Sequence, residues 1–246
     1  MYDTETWLLA LLIFASALLY SSVGHGGASG YLAMMALVGL APAVMKPTAL
    51  VLNILVASLA TIKFYRAGCF SWPLFWPFTL TSIPMAFIGG AITLPSHYYK
   101  PVVGVVLLFA AIRLLFSSSR SSSEAIKRPQ VAVALAAGAG IGLLSGLTGV
   151  GGGIFLSPLL VIAKWAEPRE TSGVSAPFIV VNSVAGLLGH LASVRHVPAE
   201  AAYWGAAAVC GGLIGSHVGS RLLSVVWLRR LLGLVLVMAG FKMIFT

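Results

Sequence analysis

Two glycine-dense stretches are the residues of this chain best suited to chemistry: Gly24-His25-Gly26-Gly27-Ala28-Ser29-Gly30 and Gly146-Leu147-Thr148-Gly149-Val150-Gly151-Gly152-Gly153. Each interrupts a long apolar run, the first at 7–40 and the second at 130–163. Glycine at this density does not hold a continuous helix. Non-helical backbone at membrane depth survives only where protein buries it or a wet cavity takes it up. A half-helix beginning there turns free N–H groups and the positive end of its dipole toward the cavity, which suits an anion. Ser22, Ser29, Ser145 and Thr148 add hydroxyl donors beside the breaks. The candidate anion ligands are therefore Ser22, His25, Gly26, Gly27, Ser29, Thr148, Gly151, Gly152 and Gly153. The competing reading is close helix packing through small residues, which scattered Gly-xxx-Gly pairs would fit better than two dense runs.

Asn53 and Asn182 join this set. Both sit in apolar helical segments, 129 positions apart. A buried amide in lipid must find partners, so each either touches the anion or ties down a glycine loop. His25, when protonated, would attract an anion; when neutral, it would bond the loop backbone. His190 lies beyond Asn182 on the same segment and is, with Arg66 and Arg195, an entrance or gating candidate. Arg66 and Arg195 each follow their asparagine by 13 residues, about 20 Å along a helix, which puts them at the membrane surface as snorkelling or entrance charges. Lys46, Lys164 and Arg169 read as loop charges. The six acids, Asp3, Glu5, Glu124, Glu167, Glu170 and Glu200, fall at segment ends or in loops, which argues against a carboxylate proton relay or a sodium site. No metal or cofactor site is expected, since two cysteines, Cys69 and Cys210, do not make a thiolate site.

The elements that must position these residues are membrane helices. Of the 246 residues, 59% are hydrophobic and 9% charged, and the net charge is +9; an ordinary soluble domain is roughly 25% charged. These numbers exclude disorder and leave no basic face for nucleic acid. A membrane crossing needs about 20 apolar residues, and the runs fall near 7–40, 47–65, 73–94, 100–116, 130–163, 172–194, 200–222 and 227–245. Met1 to Thr6 contains no Lys or Arg, so the first run reads as a retained membrane segment and not a signal peptide. Trp72, Trp76, Trp165, Trp204 and Trp227 lie near segment ends, as an interfacial belt requires. The expected fold class is an all-α polytopic membrane protein of about eight hydrophobic segments, in a multi-pass arrangement in the cell membrane.

The two halves match in register. Gly24-His25-Gly26-Gly27 overlies Gly149-Val150-Gly151-Gly152 at an offset of 125, Asn53 and Arg66 overlie Asn182 and Arg195 at 129, and Phe87-Ile88-Gly89 overlies Leu213-Ile214-Gly215 at 126. This reading divides the chain into two homologous four-segment repeats, 1–116 and 130–246, joined by a polar basic linker at 117–129. The first segment of each is broken by glycine. Parallel repeats follow if the breaks run in line, and inverted repeats follow if a broken element is re-entrant. Assigning loops alternately puts nearly equal numbers of Lys and Arg on the two sides, with the linker the most basic connection.

A catalytic reading fares poorly. Gly142-Leu143-Leu144-Ser145-Gly146 is one residue too long for Gly-x-Ser-Gly, and a serine–histidine dyad with His190 gives the duplication no purpose. The quoted residues instead resemble the TauE/SafE family, the sulfite exporter or toluene-sulfonate uptake permease family. The resemblance rests on Gly24 through Leu32 in the first half and on Gly146 through Gly153 followed by Pro158 in the second. It implies transport of sulfite or small organosulfonates without ATP hydrolysis, and no GxxxxGK[ST] motif occurs. The implied partners are a small sulfur-containing anion and the lipid bilayer, with homo-oligomer formation left open. Export is favoured over proton-coupled import because an anion leaves a negative-inside cell downhill, by about 2.3 kcal/mol per charge per 100 mV.

Overall fold

In the computed structural model, residues 4–22, 27–116, 126–194, 196–218 and 225–245 are described. They form ten helices and, among the described residues, no strand: α1 (Thr4–Ser22), α2 (Ala28–Val38), α3 (Pro42–Arg66), α4 (Trp72–Ala91), α5 (Ser96–Phe116), α6 (Val131–Thr148), α7 (Gly153–Ile162), α8 (Pro168–Ser193), α9 (Ala201–Val218) and α10 (Val225–Phe245). Five of them, α3, α4, α5, α6 and α8, are long and apolar enough to cross a membrane. Helices α3 and α8 begin a few residues before the apolar runs at 47 and 172, because Pro42 and Pro168 each start a first turn that needs no N–H from them.

The second glycine break is a fold back and not an in-line joint, and α2 lies back along α1. The N–H of Lys127, ahead of α6, bonds the carbonyl of Lys164, beyond α7, at 3.1 Å. Helix α7 therefore returns the chain to the end from which α6 set out. Helix α2 likewise lies back along α1: Tyr20 and Ser29 are hydrogen-bonded at 2.8 Å, and a side chain at Gly30 would strike Ser16. In an uninterrupted helix Ser16 and Gly30 would stand about 21 Å apart.

Close approaches at glycines set the directions of the long helices. Glycines 138, 142 and 146 of α6 lie in turn against Phe78, Ser82 and Ala86 of α4, so these helices run parallel. Glycines 211 and 215 of α9 lie against Phe14 and Leu18 of α1, also parallel. Helices α5 and α10 run antiparallel, with Gly104 beside Gly240 and Leu115 beside Gly233. Helices α3 and α8 cross in opposite directions at the centre, where Leu50 meets Gly186. The linker end of the molecule thus holds the ends of α3, α5 and α7 and the starts of α4, α6, α8 and α10. The opposite end holds the starts of α1, α3, α5 and α9 and the ends of α2, α4, α8 and α10.

The largest buried cluster joins α1, α2, α3, α5, α9 and α10, and Val150 of the second break is part of it. One aromatic departs from the interfacial expectation. Trp204 is buried among helices and directs its indole N–H at the carbonyl of Thr6, 3.3 Å away, whereas Trp72 is largely exposed. Packing of α9 against α1 carries Trp204 inward, although its place at a segment end pointed to the lipid interface.

Candidate functional site

The second glycine break sits where α3, α7 and α8 converge. Gly149, Gly151 and Gly152 all have positive φ, at 84°, 79° and 81°, a region L side chains enter only with strain. These three dihedrals turn the chain through the fold-back. The last carbonyls of α6 are then covered by side chains from other helices: Tyr99 donates to Thr148 O at 3.0 Å, and Asn53 donates to Gly149 O at 3.0 Å. Helix C-termini leave such carbonyls unsatisfied in general, and in a membrane interior each would be costly.

On the other side of the break the donors are free. Among the described residues, the N–H groups of Val150, Gly151, Gly152, Gly153 and Ile154 meet no acceptor, while those of Phe155 and Leu156 bond Gly152 O at 3.1 Å. Consecutive unpaired amides at a left-handed turn opening a helix form an anion-binding concavity. Val150 is fully buried, and so are the neighbouring side chains. A Cβ built on Gly151 would stand 2.8 Å from Ile179, 2.9 Å from Ser183 Oγ and 3.1 Å from Asn53 Nδ2. One built on Gly152 would stand 2.9 Å from the Phe178 ring and 3.1 Å from Ile141. The backbone is therefore approached directly by an amide and a hydroxyl.

Asn182 lies on the same α8 face as Phe178 and Ile179, one turn on. It is wholly buried; its Nδ2 donates to Phe178 O at 2.8 Å, and its Oδ1 has no partner among the described residues. Ser183 Oγ, equally buried, is also unpartnered. Buried polar groups are nearly always bonded in folded proteins; nine side-chain atoms of the described residues are not, and among them these two are adjacent on the α8 face whose Phe178, Ile179 and Ser183 meet the free amides.

Other residues proposed from the sequence stand elsewhere. Gly27 caps α2 and Ser29 bonds Tyr20; no hydrogen bond among the described residues links this cluster to Asn182 or Gly151. The Thr148 hydroxyl donates to Leu144 O at 2.6 Å within its own helix. Arg66 is exposed at the linker end of α3. His190 is buried at the opposite end of α8, with Nε2 3.2 Å from His196 O. His25, Gly26 and Arg195 lie outside the described residues, and Ser22 is described only by its place on α1.

Two residues were not marked by the sequence. Ser183 is one of many serines, and only the packing of α6 and α7 against α8 brings it to Gly151. Lys46 is the larger correction: it is not a loop charge but lies on α3, buried, with Nζ donating to Gly89 O, Gly90 O and Ile92 O at 3.1, 2.8 and 3.0 Å. An ammonium carries three donors, and all three here cap the C-terminus of α4. Its own carbonyl would be 3.0 Å from a Cβ on Gly149, so the capped end of α4 and the glycine break are joined through one residue. The signal available was Lys46-Pro47 opening an apolar run, where an intramembrane charge is a functional candidate.

Comparison with known proteins agrees with this architecture. The sulfite exporter TauE/SafE family profile matches residues 8–243. A protein of Sinorhizobium fredii (strain NBRC 101917 / NGR234), described as "Probable membrane transporter protein y4hK", is 41% identical over 245 residues, covering 98% of this chain and 99% of that relative. No solved structure matches the chain.

Proposed function

The chain belongs to the sulfite exporter TauE/SafE family and is a multi-pass membrane transporter, and on that premise we propose that it exports sulfite or a small organosulfonate, held at the second glycine break. The observation that carries this reading is the run of free amides from Val150 to Ile154 beside the unpartnered Asn182 Oδ1 and Ser183 Oγ. Donors already oriented in a dry site bind an anion without the cost of rearrangement, and the low dielectric strengthens each bond. Asn53 holds the loop in place from α3, and Asn182 faces the ligand from α8.

We further propose that the halves 1–116 and 130–246 are copies of one unit with opposite membrane orientation. Helix lengths support this: 19, 11, 25, 20 and 21 residues in the first half, against 18, 10, 26, 18 and 21 in the second. Packing supports it too, because exchanging the halves turns the α1–α9 pair into α4–α6 and maps α3–α8 and α5–α10 onto themselves. Transporters built so hold substrate near the midplane at the repeat interface, which is where α3 and α8 cross.

The distribution of charge that follows from the fold-backs supports one orientation. Among the described residues, Lys63, Arg66, Arg113, Lys127, Arg128, Lys164, Arg169, Arg229 and Arg230 belong to the linker end, whereas the opposite end has Lys46, Lys100 and Lys242. The positive-inside rule makes the linker end cytoplasmic. An anion moving from that end outward follows the membrane potential, by about 2.3 kcal/mol per charge per 100 mV.

The test is thermal stabilisation of the purified protein by sulfite, sulfate, thiosulfate, taurine, sulfoacetate, nitrate and chloride, followed by flux from liposomes. A ligand at 100 times its Kd adds about 2.7 kcal/mol. A shift with sulfite or a sulfonate, with efflux of the same anion driven by a negative interior, is the expected result. No shift and no flux with any anion of the panel overturns the reading.

A further inference from the structure

The donors around the second break account for an anion's oxygens, but one group on the α8 face that meets the break, between Phe178 and Ser183, is of the opposite kind. Asn182 spends its Nδ2 on Phe178 O, 2.8 Å away. This bond fixes which way the amide faces, since the reversed amide would set Oδ1 against a carbonyl oxygen. Its Oδ1 is therefore an acceptor, wholly buried, and nothing among the described residues donates to it. The adjacent Ser183 hydroxyl is unpartnered as well and lies against Gly151. A bare oxyanion offers only acceptors; placed here it would satisfy the amides and the hydroxyl and leave Asn182 Oδ1 facing a lone pair.

We propose that the transported anion carries a hydrogen-bond donor of its own, and that Asn182 Oδ1 accepts from it while Ser183 Oγ and the amides of Val150 to Ile154 bind the acidic oxygens. This inference rests on the anion reading of the break and narrows its substrate class to singly charged anions bearing an O–H or N–H, such as a hydrogen-oxyanion or a hydroxylated or aminated sulfonate. Fully deprotonated dianions and donorless sulfonates fall outside it. A site built to bond a donor discriminates strongly against the analogue lacking one, because its own acceptor is then left buried and unpaired.

The experiment compares ethanesulfonate, 2-hydroxyethanesulfonate and propane-1-sulfonate, the last matching the second in size, as competitors for anion flux in liposomes holding the full chain. In the wild type the hydroxylated anion is expected to compete at least tenfold better than either donorless one, and Asn182→Leu to bring that ratio close to one. Equal competition by all three in the wild type, abolished together by Gly151→Ala, overturns the donor inference and leaves the anion site standing. Competition unaffected by Gly151→Ala in folded protein overturns the site itself, and the inference with it. A ratio that survives in Asn182→Leu, and equally in Asn182→Ser should the leucine variant fail to fold, removes Asn182 as the acceptor. Competition by none of the three overturns both.

Discussion

Asn53 on α3 donates its side-chain amide to the carbonyl of Gly149, 96 positions along the chain, at 3.0 Å. This bond ties the central helix of one half to the broken element of the other. It also covers a carbonyl that α6 exposes by ending at the break. Replacing Asn53 with Leu leaves that carbonyl buried without a donor, a cost of about 1–3 kcal/mol. The variant should melt earlier and transport more slowly, and detergent-solubilised melting with liposome flux would measure both. Unchanged stability would mean that the loop finds another donor.

Gly151 should tolerate no side chain. At Gly151 even alanine meets φ of 79° together with Ile179, Ser183 and Asn53, so Gly151→Ala should abolish flux. Gly68 provides the control: its φ is 68° and nothing lies within 4 Å of an added Cβ. Gly68→Ala carries the backbone strain alone, about 1–2 kcal/mol, and should transport normally at a modestly lower melting temperature. Equal flux in the two variants would show that space at Gly151 is not needed.

Lys46→Met keeps the length of the side chain and removes its charge. Three carbonyls at the end of α4 then lose their donor, and a hydrogen bond to a charged group is worth about 1.5–3 kcal/mol. A clear loss of stability is expected by thermal melting. If the melting temperature is kept, the α4 end is held by packing alone.

Helix packing yields a fourth outcome. Gly90 of α4 lies against the Gly186 backbone of α8, so Gly90→Leu should prevent folding, read as loss of monodisperse protein. Gly140, with nothing within 4 Å of an added Cβ, should accept alanine with a gain of about 0.5–1 kcal/mol.

Orientation is checked by labelling. In a background without Cys69 and Cys210, Tyr98→Cys at the outer end should react with an impermeant maleimide in intact cells. Ile126→Cys at the linker end should react only after permeabilisation. The reverse pattern would invert the assignment and remove the downhill argument for export.

Residue by residue, the sequence determined the helical membrane class, the second glycine break and the family, because hydropathy, glycine density and short motifs are local properties. It did not determine that Val150 to Ile154 stand beside Ser183, or that Lys46 caps α4, because each needs a helix crossing made by residues far apart in the chain. The direction taken at each break was likewise undecided. At the second break it depends on the dihedrals of Gly149, Gly151 and Gly152, which glycine leaves free and only packing of α6, α7 and α8 selects. That choice then moves whole helices from one side to the other. Lysines and arginines that alternate loop counting spreads evenly gather at the linker end once α2 and α7 fold back, so the sidedness of the charge is a property of the tertiary structure.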